Sequence, residues 1–502
     1  MTGARPRWVL LLGVAWTALA CGGVTIPVPP ANAPNIVLIT VDALRADTPS
    51  FAGGPVGSTP HLDRLAGDSA VFEQAVSSFV GTTGAMPSLM TGRWPSFEHV
   101  DRLAPDNFYG FSDVKSSDEV GQRVLTRNVD TLAEILNAHG WTTIGFNTNP
   151  HLTPDTHFDQ GFERYEEFHG WLRHAKAARR HPLQGSYPPG DVVATGVERW
   201  LDTRPRSPFF AWIHLMDPHS PYLPPLPFDR FGLRSRTGLS PLELNEALYH
   251  LLFSRRGWSR ADEYTSLERA GVSRAAAIDH ARGLYVGEVS AADAAIDRIV
   301  AALGRADALD RTLLVVTADH GEEFGDHGHV FHEVFQPGYE ELLHIPLVVR
   351  PPGGVPGGRR IADVVRMVDV APTVLEIAGL ADAGFDMDGA TLVPYLRGAA
   401  AGDRTAFVSA PRWAVVRTGE WKYRLRKPTG VEELYRVDRD PRERSDLAVV
   451  EPAVLADLRE RWTDFSGRLR ARATVIASEG EPTPMIDEAT REQLEALGYT
   501  SD

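Results

Sequence analysis

Uninterrupted hydrophobic runs recur along the chain, and each is followed by polar residues or a turn. Runs of this kind are typical of strands that are buried on both faces of a sheet. They lie at residues 36–41, 142–146, 208–214, 312–318 and 345–349.

Segments with helical spacing separate these runs. Apolar residues recur with helical periodicity at 128–139 and 290–303. A further helix is predicted from Thr59-Pro60, with an apolar face that extends to Phe72. Strands alternating with helices predict an α/β fold with a mostly parallel central sheet flanked by helices.

The pattern of apolar and turn-forming residues changes after Gly398. Shorter strands with turn signals at 406–409, 414–417 and 422–426 predict a smaller C-terminal subdomain with an antiparallel sheet. We therefore divide the chain into a signal peptide (1–20), a Pro/Gly-rich tether (21–34), a catalytic domain (35–398) and a C-terminal subdomain (399–502).

Polar residues collect where the predicted strands end. In open parallel sheets, ligands bind at the carboxyl ends of the strands. The residues expected at that edge are Asp42, Asn149, Asp217, His219, Asp319 and His320.

The densest polar stretch is 317–332, which contains four histidines and four carboxylates. Imidazoles and carboxylates together suit a divalent metal ion or acid/base chemistry. Oxygen ligands favour Ca²⁺ or Mg²⁺, whereas His320 opens the site to Mn²⁺ or Zn²⁺. The sequence also allows a second metal ion, bound by Asp217, His219 or His332.

A second informative stretch is 81–92, where Thr82 follows a glycine. We place Thr82 at a helix N-terminus and Pro87 in the first turn of that helix. A metal bound there could deprotonate the hydroxyl and make it a nucleophile, but an ordinary N-cap threonine explains the pattern equally well.

The N-terminus predicts export. Arg5 and Arg7 precede the apolar run 8–20, which is too short to span a bilayer as a mature helix. Cys21 is the only cysteine, which excludes a disulfide within the chain, and its position resembles a bacterial lipobox. We expect a lipid-anchored protein of the bacterial cell envelope, with ordinary secretion after cleavage at Ala20 as the alternative.

The overall charge limits the classes of molecule that the protein can bind. The formal net charge is −15, which argues against nucleic acid. A local positive site that carries a metal could still bind one anionic group.

The chain resembles the sulfatase family of the alkaline-phosphatase-like superfamily. The resemblance runs from Asn35 to the end of the chain. It is carried by the stretches NIVLITVDALRAD (35–47), TPHLDRLAGDSAVF (59–72), LMTG (89–92), DPHSPY (217–222), TADHGEEFG (317–325), YEELLHIP (339–346), ELYRVDRDPRERSDL (433–447) and EQLEALGY (492–499).

The resemblance implies roles for individual residues. It implies that Asp42, Asp319 and His320 bind a divalent cation and that Thr82 occupies the nucleophile position. His219 matches a histidine that contacts the transferred group or assists the leaving group. Asn149 and His332 are implied as substrate contacts.

Two departures from the family pattern affect the substrate. Sulfatases carry Cys or Ser in Cys/Ser-x-Pro-x-Arg, which is oxidised to formylglycine, whereas residues 82–86 here read TTGAM. Ala43 replaces a second aspartate, and the usual Gly-Lys-Trp-His stretch is absent from 146–151.

These departures favour phosphoester cleavage through Thr82, by hydrolysis or transfer, in an anionic substrate such as a glycan, a lipid headgroup or a small molecule. The alternatives are a sulfuric ester hydrolase with an unmodified hydroxyl and a catalytically inactive envelope-binding protein.

Overall fold

The computed structural model describes residues 28–95, 125, 127–168, 187–231, 239–245, 271–332, 336–381, 384–410 and 412–476. The predicted signal peptide, Cys21, most of the tether and the closing stretch 492–499 lie outside these ranges. Among the residues described, every helix is too short or too polar to cross a lipid bilayer.

The strands, in chain order, are β1 (Asn35–Val41), β2 (Ala70–Val76), β3 (Thr142–Asn147), β4 (Arg164–Glu167), β5 (Phe209–Leu215), β6 (Thr312–Ala318), β7 (Glu323–Phe324), β8 (Val330–Phe331), β9 (His344–Arg350), β10 (Arg359–Arg366), β11 (Ala406–Ser409), β12 (Trp413–Arg417), β13 (Trp421–Arg426) and β14 (Val431–Arg436). The helices are α1 (Pro60–Ala66), α2 (Thr82–Thr91), α3 (Leu132–Ala138), α4 (Gly190–Asp202), α5 (Arg274–Arg305), α6 (Glu340–Leu343), α7 (Val370–Ile377), α8 (Val393–Leu396) and α9 (Pro452–Ile476).

A sheet of eight strands forms the centre, in the order β10-β2-β9-β6-β1-β5-β3-β4. Within it β9 runs antiparallel to β6 and β2, and the other neighbouring strands are parallel. Every residue of β1, β5 and β6 is buried, because the sheet is covered on both faces. The predicted mostly parallel α/β core is confirmed.

The three central strands end together. Val41 of β1 lies opposite Leu215 of β5 and Ala318 of β6. Asp42 and Asp319, which follow directly, are therefore brought to the same edge of the sheet, which explains why residues 277 positions apart can share one site.

Two predicted helices need correction. Helix α1 ends at Ala66, and Phe72 lies in strand β2 between β9 and β10. Leu65 and Phe72 are spaced as on one helix face, but pairing with two distant strands outweighs this local pattern. The segment 290–303 belongs to the longer α5, which packs against α4 and α1.

The C-terminal region forms an antiparallel sheet in the order β11-β12-β13-β14. Three of its strands correspond to the predicted ones, and β14 was missed because Glu432 and Glu433 interrupt its apolar pattern. Helix α9 packs against β12 and β13.

Candidate metal centre and nucleophile

Three fully buried side chains meet at the ends of β1 and β6. Asp42, Asp319 and His320 each offer one ligand atom, and these atoms lie within 4.8 Å of one another. His320 Nε2 lies 3.6 Å from Asp42 Oδ1 and 3.4 Å from Asp319 Oδ2. The sequence prediction of a ligand cluster at this edge thus corresponds to a real convergence of donor atoms.

The donor set fits a divalent cation. His320 Nδ1 donates a hydrogen bond of 2.8 Å to the carbonyl of Gly321, so its Nε2 lone pair faces the carboxylates. Among the described residues, Asp42 Oδ1 is buried without a hydrogen-bond partner. A buried carboxylate oxygen normally has a partner, and a cation would supply one here.

Electrostatics agree with this assignment. Burial alone would raise the pKa of Asp42, but the charge of His219 and a hydrogen bond from His214 outweigh it and lower the pKa. Burial alone would lower the pKa of His320, but Asp319 and Asp42 outweigh it and raise the pKa. Two carboxylates therefore create a field that favours positive charge at this position.

Asp319 also braces the surrounding backbone. Its Oδ1 accepts hydrogen bonds from Ala43 N at 3.1 Å and His320 N at 2.9 Å. Ala43 adopts the left-handed conformation, with φ of 57°, which is uncommon for alanine. The residue that replaces the family's second aspartate thus contributes its N–H to orient Asp319.

Thr82 begins helix α2 and points at the same cluster. Its hydroxyl donates to Asp319 Oδ2 at 2.8 Å and lies 3.3 Å from His320 Nε2. Gly81 is the N-cap residue, so the predicted helix N-terminus is confirmed. Pro87 lies inside the helix rather than in its first turn, which corrects the prediction.

Close packing fixes the start of α2. A Cβ atom on Gly84 would lie 2.5 Å from the ring of Phe79. Only a glycine at this position lets the first turn approach that ring, so the Gly-containing motif holds Thr82 against the cluster.

Two further histidines line the site. The ring of His332 lies 4.1 Å from that of His320 and 4.9 Å from that of His219, measured between centroids. His219 Nδ1 donates to the carbonyl of Ser220 at 2.6 Å, so Nε2 is the nitrogen that can exchange a proton. Both predicted residues are thus brought to the cluster.

Glu322 supports His332, and the sequence analysis missed this role. One Glu322 oxygen accepts from His332 Nδ1 at 3.0 Å, and the other accepts from the Tyr222 hydroxyl at 2.9 Å. Burial raises the pKa of Glu322 to about 7, and burial together with His320 lowers the pKa of His332 to about 3. The available signal was that Glu322 lies inside the quoted TADHGEEFG stretch and Tyr222 inside DPHSPY.

The chain matches known protein families over most of its length. A family model described as Sulfatase matches residues 34–380, which is more than half of the chain. The chain belongs to the sulfatase family. A second model, for the C-terminal part of N-sulphoglucosamine sulphohydrolase, matches residues 325–464.

Individual relatives have low sequence identity to this chain, but the alignments cover most of it. Arylsulfatase K of Mus musculus is 23% identical over 482 residues, which cover 88% of this chain and 81% of the relative. The phosphonate monoester hydrolase of Agrobacterium radiobacter has a TM-score of 0.64 at 24% identity, covering 88% of this chain and 96% of that structure. A 2-O GAG sulfatase also has a TM-score of 0.64, at 18% identity, with 91% and 96% covered. The protein is thus a sulfatase-family ester hydrolase.

Asn149 and Asp217 serve this sulfatase-family site differently from each other. Asn149 Nδ2 donates to Asp42 Oδ2 at 2.7 Å, so Asn149 touches the ligand set. Asp217 instead accepts from Gly190 N at 2.6 Å and pairs with Glu288. Asp217 therefore caps the start of α4 and is not part of the described metal-type cluster, and burial raises its pKa to about 6.

A second group of metal-type side chains includes His327, which lies on the loop that follows His320. The donor atoms of His327, Glu341 and Glu443 lie within 4.8 Å of one another. His327 stacks on Tyr339 with ring centroids 3.4 Å apart, and Lys422 Nζ lies 3.1 Å from Glu443. Lys422 pairs with Glu443 and His327 lies 3.3 Å from Glu341, so we assign this group to holding the loop against the C-terminal sheet.

Proposed function

We propose that this sulfatase-family hydrolase cleaves phosphate esters, with Thr82 as the nucleophile. The observation that carries the proposal is the position of the Thr82 hydroxyl, 2.8 Å from Asp319 Oδ2 and 3.3 Å from His320 Nε2. Oxidation of a threonine side chain would give a ketone, because its Cβ carries a methyl group. The formylglycine aldehyde of typical sulfatases is therefore inaccessible from Thr82.

The residues that would hold a divalent cation are Asp42, Asp319 and His320. When bound, such a cation would lower the pKa of the Thr82 hydroxyl and withdraw charge from the ester oxygens. One imidazole nitrogen with carboxylate oxygens is compatible with Mn²⁺ or Zn²⁺ as well as with Ca²⁺ or Mg²⁺.

The chain supplies the remaining parts of a displacement. The Thr82 hydroxyl releases its proton to water, and its oxygen forms a bond to phosphorus as the bond to the leaving oxygen breaks. The imidazolium form of His219 donates its Nε2 proton to the leaving alcohol and later takes a proton from the attacking water or alcohol. Water or an acceptor alcohol then attacks the phosphothreonine and releases the free hydroxyl.

Sulfate-ester hydrolysis by the unmodified Thr82 hydroxyl is the second candidate. It is favoured by the names of the sequence relatives, among them arylsulfatase K. A catalytically inactive envelope-binding protein is the third, but it gives no reason for a buried hydroxyl directed at Asp319 and His320.

We also propose that the protein is exported and held at the cell envelope by a lipid on Cys21, where it meets an anionic glycan, lipid headgroup or small-molecule ester. Export and anchoring rest on the N-terminal sequence alone. Membrane fractionation of cells that express the full chain or Cys21→Ser measures this directly. We expect the variant to leave the membrane fraction, and an unchanged distribution would contradict the anchor.

A substrate panel tests the chemistry. The enzyme is depleted of metal, refilled with one cation at a time, and assayed on aryl sulfate, aryl phosphate and a bis-aryl phosphate diester. We expect a phosphate ester to exceed the sulfate in kcat/KM by more than about tenfold, or roughly 1.4 kcal/mol of transition-state stabilisation. A preference for sulfate would support the second candidate, and no turnover with any cation would support the third.

A further inference from the structure

A chain of buried side chains leads from the centre of the sheet to the Asp42 carboxylate. Trp212 Nε1 donates to Thr40 Oγ1 at 3.0 Å, and Thr40 Oγ1 lies 2.8 Å from His214 Nδ1. His214 Nε2 lies 3.2 Å from Asp42 Oδ2. All four residues have no exposed surface.

The direction of each hydrogen bond in this chain can be assigned. An indole N–H can only donate, so Thr40 Oγ1 is the acceptor for Trp212. The Thr40 hydroxyl then gives its own hydrogen to His214 Nδ1 at 2.8 Å, since its other acceptor, the carbonyl of Ile213, is 3.5 Å away. His214 Nδ1 is thus an acceptor, and its proton resides on Nε2, where it is donated to Asp42.

These hydrogen-bond directions decide which oxygen of Asp42 is available to a cation. Asp42 Oδ2 accepts from His214 at 3.2 Å and from Asn149 at 2.7 Å. Within the described part of the chain, Oδ1 has no hydrogen-bond partner, and it faces His320 Nε2 at 3.6 Å. The two donors on Oδ2 fix the rotation of the carboxylate and keep Oδ1 directed at the cluster.

We propose that His214 is a positioning residue for the metal centre. It acts through Asp42 and touches neither the reacting atoms nor Thr82. Donors to the outer oxygen of a ligating carboxylate orient the ligand, and losing one typically weakens metal affinity 10- to 100-fold. The inference rests on the proposed metal site, but not on the nucleophile or the ester class.

The strand register explains why a strand histidine can do this. Thr40 of β1 lies directly opposite His214 of β5, and Leu38 lies opposite Trp212. Since side chains two residues apart share a face of a sheet, Thr40 and Asp42 face the same side, as do Trp212 and His214. The chain is therefore built from neighbouring positions on two paired strands.

A matched control residue lies on the neighbouring strand β6. Thr317 of β6 is paired with Thr40 on the other side of β1 and is likewise buried. Its hydroxyl donates to the carbonyl of Pro346 at 2.9 Å and takes no part in the cluster. Thr40→Val and Thr317→Val therefore remove comparable buried hydroxyls, but only the first disturbs the His214 tautomer.

The test is a calorimetric titration of the metal-free full-length protein with Mn²⁺ and, separately, Ca²⁺. We expect His214→Leu to raise the dissociation constant about 10- to 100-fold, His214→Gln to recover most of the affinity, and Thr40→Val to give a smaller rise. Thr317→Val, folded as judged by circular dichroism, should keep wild-type affinity.

Wild-type affinity in folded His214→Leu, or equal loss in Thr317→Val and Thr40→Val, would overturn the inference. If His214→Leu does not fold, as judged by circular dichroism, the two threonine variants decide. Absence of binding by the wild-type protein would instead refute the metal centre, so the two failures are distinguishable.

Discussion

Thr82→Ala should lower the turnover of a phosphate ester by about three orders of magnitude or more, while the fold stays intact. The variant removes the only atom proposed to bond to phosphorus. It also removes a hydroxyl that is 2.8 Å from Asp319 but leaves the donor atoms of the three ligands in place. Steady-state kinetics on the best ester of the panel, with cation content measured on the same sample, provide the measurement.

Neighbouring substitutions give this experiment its controls. Thr83, the next residue of α2, is half-buried, and Thr83→Ala should keep activity close to wild type. Thr82→Ser retains the hydroxyl and should keep measurable turnover. Acid-quenched wild-type enzyme should carry a phosphate on the peptide that contains Thr82. Full activity in Thr82→Ala would eliminate Thr82 as the nucleophile.

Asp319→Asn should have the second-largest effect, a loss of cation binding together with turnover. Asp319 Oδ1 accepts hydrogen bonds from Ala43 N at 3.1 Å and from His320 N at 2.9 Å. Asparagine keeps an oxygen at this position, so the variant should retain both hydrogen bonds to the backbone. The change removes the negative charge that favours a cation and the carboxylate oxygen that accepts the Thr82 hydrogen bond. Cation affinity and kcat, measured on the same sample, should both fall by more than the roughly 10- to 100-fold that loss of a residue supporting a ligand costs.

Asp326→Asn is the matched carboxylate control for that variant. Asp326 lies on the same loop but forms ion pairs with Arg45 at 3.0 Å and Arg282 at 2.9 Å, away from the cluster. Its variant should keep cation affinity. Normal cation content and turnover in folded Asp319→Asn would show that Asp319 is not a ligand.

Local sequence patterns were most informative where a strand ends. Asp42 and Asp319 each follow an uninterrupted apolar run, and parallel strands share one carboxyl edge, so their meeting could be predicted. Thr82 could be placed at a helix start for the same kind of reason, because glycine and hydroxyl residues mark such starts locally. The helical interpretation of Phe72 failed because strand pairing is not local.

The support of the site could not be predicted in the same way. His214 ends the apolar run 208–214 and has the appearance of a core histidine until Thr40 and Asp42 are set beside it. Asp217 has the same strand-end position as Asp42, yet its carboxylate turns to Gly190 and Glu288. Which way a side chain turns depends on neighbours that are far away in the chain.

The sequence by itself determined the α/β class, the family resemblance, the residue types at 42, 319 and 320, and the absence of a formylglycine precursor at Thr82. These properties depend on residue identity and short-range periodicity, which the chain carries before it folds. Only the tertiary structure decided that the Thr82 hydroxyl faces the ligands, that Glu322 holds His332, and that one oxygen of Asp42 is left without a partner among the described residues. Those relations depend on distances and hydrogen-bond directions between distant segments, which exist only once the strands are in register.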